Sequence, residues 1–165
     1  MTNTSADPSA ATSVELDAAT QRQLGVDLYN STWALLEMPD RTAAETDEMI
    51  HRAHASRWHW TRVGVEVNRA RGEWLCSRVY ATLGRGEPAL WHARRSVDIN
   101  EGLGPDEREP WDLPAAYEAM ARASYAAGDP ASGALWKVKA IATLEDVTDP
   151  DDREPIAQDL ATLPG

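Results

Sequence analysis

Asp47, His51, His54 and Trp58 follow one another at steps of 4, 3 and 4 residues, which places all four on one stripe of an α-helix. Two imidazoles one turn apart, with a carboxylate one turn earlier, can reach a single divalent transition-metal ion, and Glu48 or His59 can add a ligand. The His-Glu-x-x-His order of metalloproteases is absent. Paired histidines on a helix are more often a packing or hydrogen-bonding pair, and that reading stands beside the metal one. Met49, Ile50, Ala53 and Trp60 lie on the opposite stripe. This helix is therefore either amphipathic and solvated or wedged between two neighbours.

Other reactive groups are sparse. His92 has no partner in its own segment and reads as a surface or interface residue. Cys76 is the only cysteine, so an intrachain disulfide and a thiolate metal cluster are both excluded. There is no phosphate-cradling glycine loop, nucleophile elbow or glycosidase carboxylate signature. Glu73 and Glu118, on neighbouring predicted helices, remain a conceivable carboxylate pair. The balance leans away from an enzyme, with no cofactor implied unless the histidine stripe holds a metal.

Positioning such groups requires a core, and 165 residues suffice for one domain. Much of the apolar content is alanine, which favours closely packed helices, and seven Trp with no Phe supply large rings with an N–H handle. A net charge of −11 argues against nucleic acid, which takes a clustered cationic excess. Arg69, Arg71, Arg78, Arg85, Arg94 and Arg95 are interspersed with glutamates at helical spacing and read as a solvated, salt-bridged face. The first residues lack a basic start and an apolar run, and no stretch reaches the ~18 apolar residues of a membrane span, so the expected address is cytoplasmic, without a membrane partner.

The elements follow from periodicity and breakers. Residues 1–13 are small and polar and are expected to form a disordered tail before a single domain over 14–165. Leu24, Leu28 and Leu35 mark a first helix that stops at Met38-Pro39-Asp40. Thr42 and Glu45 form a capping box for a second. Leu75, Val79 and Leu83 mark a third, closed by Gly84. Ala89, Leu90, Ala93 and Val97 face inward on a fourth, and the acidic Glu101–Pro110 segment is a connector. Asp112 is expected to cap a fifth helix carrying Tyr117, Met120 and Ser124. A sixth starts at Pro130 and is expected to bury Leu135, Val138 and Ile141, and a final amphipathic helix over about 151–163 caps the array. No period-two alternation predicts a strand.

The third-fourth and fifth-sixth helix pairs align on Gly84 and Gly128, which lie 44 residues apart, with Tyr80 and Tyr125 before them and small residues after. This pattern resembles the tetratricopeptide repeat over roughly residues 68–145, with the connector accounting for a period longer than the usual 34 or so. The resemblance implies an all-α, right-handed solenoid of helical hairpins, with about seven helices. It puts small residues at Ser77, Ala121, Ala89, Gly133, Ser96 and Ala140, and a buried side chain at Cys76. It also implies a concave groove lined by Trp74, Arg78, Glu118, Arg122 and Tyr125. The arginines would suit a carboxylate and the aromatic rings an apolar ligand surface, although Glu118 and Arg122, one turn apart, are equally placed to pair with each other. The leading expectation is a non-enzymatic module binding a protein or peptide in this groove. The alternatives are a metal- or small-molecule-binding protein using His51 and His54, and a homodimer or larger assembly through the Trp-rich face.

Overall fold

The computed structural model describes residues 15–164, and within them the chain forms seven α-helices and no strand. They are α1 (Ala18–Leu36), α2 (Ala43–Val63), α3 (Glu66–Thr82), α4 (Gly86–Gly102), α5 (Asp112–Ala126), α6 (Pro130–Leu144) and α7 (Pro150–Ala161). A single 3-10 turn at Pro105–Glu107 interrupts the connector after α4. The expected tail, 1–13, lies outside the described residues.

Helix starts have local causes. The Asp17 carboxylate accepts the Thr20 N–H at 2.8 Å, and Asp129 does the same for Ser132 ahead of Pro130. Thr42 and Glu45 form the reciprocal box expected of their spacing. Two helix ends are built alike. Gly84 (φ 67°) and Gly128 (φ 78°) adopt the left-handed conformation, and the following N–H groups of Arg85 and Asp129 reach back to the carbonyls of Tyr80 and Ser124.

Each helix packs on the next, giving the hairpins α1–α2, α3–α4 and α5–α6 with α7 against the last, and the odd-numbered helices also touch one another. Ser77, Ala89, Ser96, Ala121, Gly133 and Ala140 are all buried, so helices meet where side chains are small. The two serines add hydrogen bonds across α3–α4, to the carbonyls of Ala89 and Ala70. Between hairpins the chain approaches closely at Gly86, where a Cβ would lie 2.3 Å from the Ala127 backbone.

Two expectations fail. On α6, Leu135, Val138 and Ile141 are 73%, 67% and 46% exposed, while Gly133, Ala140 and Leu144 face the core. The small-residue stripe faces α5, with the Tyr125 ring against Gly133, and this turns the larger apolar stripe outward. Asp112 does not cap α5; it is the first helical residue, preceded by Trp111, and its buried carboxylate is held by Arg71 and the Glu109 N–H.

Candidate functional site

The residues expected to line the concave groove separate into two environments. Arg78 on α3 and Arg122 on α5 both donate to the fully buried Glu118, Arg122 at 2.5 Å, which realises the expected turn-to-turn pair. Burial pushes the Glu118 carboxyl above its ordinary range, against the pull of Arg122 and Arg78. Helix α7 and the residues after it lie over these two arginines. Asp159 pairs with Arg78, Arg122 donates to the Asp159 carbonyl and the Thr162 hydroxyl, and Tyr125 donates to the Pro164 carbonyl. The two arginines are thus occupied within the chain.

Trp74 belongs to the part that stays open. It sits 5.7 Å from Trp33 of α1, ring centre to ring centre, and with Trp111 and Ala115 the two rings wall a cavity of about 250 Å³. Pro155, Ile156, Asp151, Asp152 and Asp159 complete it from α7. Trp111 continues the wall into an adjoining cleft lined by Tyr29, Trp60 and Arg71. Arg71 is fixed there, donating twice to Asp112 at 2.8 Å and lying 4.4 Å from the Trp111 ring centre. Asp151 and Asp152 form no ion pair among the described residues, and the buried Trp74 Nε1–H has no acceptor. The cavity therefore offers flat apolar walls and two acidic residues that form no ion pair among the described residues.

A second cluster lies between α2, α3 and α4. The structure does not bring Asp47 and His51 together with His54 as ligands. Asp47 and His51 are exposed, while His54 turns toward α3 and α4. Its Nε2 shares a hydrogen bond of 2.9 Å with the Tyr80 hydroxyl, and its ring lies 5.3 Å from that of His92. His92, expected at the surface or an interface and without a partner in its own segment, is buried between helices; its ring stacks on Tyr80, and its Nδ1 is 2.6 Å from a Glu73 oxygen. The side chains of His54, Cys76 and His92 each offer a ligand atom, and these atoms lie within 4.8 Å of one another.

Glu73 is the electrostatic centre of this cluster. Burial pushes its carboxyl up, but hydrogen bonds from His92, Arg57 and Arg95 outweigh burial and hold it at about 2. Burial, the His92 ring and Arg57 lower the pKa of His54, favouring the neutral imidazole, and burial pushes the Cys76 thiol up to about 12. Glu73 and Glu118, the conceivable carboxylate pair, are each held by separate guanidinium groups.

Trp33 and Trp111, and the joining of Cys76 with His92, were not singled out from the sequence. The excess of tryptophan was the one available signal for the former. No family model, no curated protein and no solved structure matches this chain.

Proposed function

We propose that this protein is a tetratricopeptide-like interaction module that takes a cationic peptide side chain into the pocket walled by Trp33, Trp74 and Trp111. The repeated glycine turns, the buried small-residue positions and the contacts among odd-numbered helices support the repeat reading. The observation that carries the ligand class is the coincidence of three indoles with the unpaired Asp151 and Asp152 at one pocket. A guanidinium or ammonium group stacked on an indole gains about 0.5–1 kcal/mol at exposed sites and more when desolvated. Two carboxylates at the lip favour that charge over an anion, and the net charge of −11 draws cations toward the surface at low salt. Binding a carboxylate through Arg78 and Arg122, the alternative suggested by the sequence, is disfavoured because both are engaged with Glu118 and α7.

Calorimetric titration with two blocked pentapeptides, Gly-Gly-Arg-Gly-Gly and Gly-Gly-Glu-Gly-Gly, tests the reading. The arginine peptide should bind, with affinity falling as salt rises, and the glutamate peptide should not. Trp111→Ala should abolish binding, and Asp151→Asn with Asp152→Asn should weaken it and flatten the salt dependence. Equal binding of both peptides, no binding of either, or binding unchanged in the variants would reject the reading.

A further inference from the structure

We infer that His54, Cys76 and His92 form a zinc site with two nitrogen ligands, one sulfur ligand and a fourth position open to solvent, independent of the aromatic groove. Three observations converge on it. The three groups come from three separate helices, α2, α3 and α4, yet their ligand atoms lie within 4.8 Å of one another. Two imidazoles and a thiol have little intrinsic attraction for one another, whereas a borderline-soft ion such as Zn2+ takes both nitrogen and sulfur.

The second observation is how the rings are held. His92 is anchored through Nδ1 by the buried Glu73 carboxylate, and His54 through Nε2 by the Tyr80 hydroxyl. His92 Nε2 and His54 Nδ1 make no hydrogen bond among the described residues. A carboxylate on the far nitrogen of a histidine fixes its tautomer and strengthens the other nitrogen as a ligand, the arrangement that supports zinc in protein sites. In turn, Glu73 is locked by Arg57 at 2.6 Å and Arg95 at 2.8 Å, so the support has its own support.

The third is access. Cys76 is fully buried and His92 nearly so, but His54 and Tyr80 are partly exposed, so the cluster approaches the surface on the α2 side. Three protein ligands with one open side match the coordination of zinc sites that keep a water. Because the ligands span the first two hairpins, the ion would tie α2 to α3 and α4.

Cobalt substitution provides the test, since a thiolate ligand to Co2+ gives a charge-transfer band that nitrogen and oxygen ligands do not. The full-length protein, stripped with chelator and titrated with Co2+, should show this band saturating at one ion per chain, and Zn2+ should displace it. Cys76→Ser should remove the band, and His54→Gln, at a half-buried position, should remove saturable binding while circular dichroism stays helical. Glu73→Gln should weaken Zn2+ binding roughly 10–100-fold. His51→Ala should change nothing. Absence of one-to-one binding, a band that survives Cys76→Ser, or binding that depends on His51 and not on His54 would overturn the assignment.

Discussion

Glu73 is 2% exposed and carries a negative charge in the middle of α3, a situation sustained only by its partners. Arg95 is 46% exposed, so its pairing contributes little; Arg57 supplies most of the charge compensation and His92 adds a hydrogen bond. Removing one member of a buried ion network leaves the others unpaired, at a cost of roughly 3–5 kcal/mol. Glu73→Gln, which keeps the shape but not the charge, should therefore lower stability by about 3 kcal/mol in urea unfolding of chelator-treated protein. The effect has a defined pH sense. The folded carboxyl titrates at about 2, below the ordinary 4.5 of the unfolded chain. Its stabilisation is complete above the unfolded value and is lost as pH falls toward 2, so the gap between wild type and Glu73→Gln should close over that interval. A gap constant down to the lower limit would show that the charge is not what stabilises. At this scale the sequence was only partly legible. Helical spacing shows which residues share a face, as with His51 and His54, but not how the faces of separate helices register. His54, Cys76 and His92 are distant in sequence and meet because α3 packs against both α2 and α4.

The elements themselves were largely readable, because their boundaries are set by local chemistry. The Thr42 and Glu45 box, Gly84, Gly128 and Pro130 each act within a few residues of their own position. At Gly84 a Cβ would meet nothing within 4 Å, so the cost of substitution there is conformational alone. Gly84→Val should destabilise by about 2 kcal/mol, since a left-handed backbone costs an L-residue roughly 1–2 kcal/mol and β-branching worsens it. An unchanged melting temperature would contradict the turn. What failed was the choice of face on α6. Its larger apolar residues and its small residues both recur at helical spacing, and hydrophobicity favoured the wrong stripe. Close packing against α5 selects the stripe with Gly133 and Ala140, where the Tyr125 ring sits 2.9 Å from the position of a Gly133 Cβ. Replacing Leu135, Val138 and Ile141 with Ser, Thr and Ser should consequently shift stability within about 0.5 kcal/mol per site, as for other exposed positions. A loss of several kcal/mol, tracked alongside mass in solution, would mean that this stripe is covered after all.

For the molecule as a whole, the succession of packed hairpins followed from the sequence, whereas the fate of the groove did not. Nothing in the spacing of Asp159 or Thr162 announces that α7 folds back onto Arg78 and Arg122, because that closure depends on the angle between α6 and α7. The result is that α7 covers Arg78 with an ion pair, while indoles wall the cavity beside it. No helix among the described residues is long and apolar enough to cross a membrane. The core divides in the same sense, into one cluster around α1–α3 and another around α4–α7, and Trp74 packs against both. That residue also carries the buried indole N–H with no acceptor. A proton held in this way resonates apart from indole protons that donate to water or a carbonyl, and it moves downfield once an acceptor arrives. In a nitrogen–proton correlation spectrum, Trp74 would accordingly serve as a built-in sensor at the seam of the two half-cores, needing no label beyond the isotope.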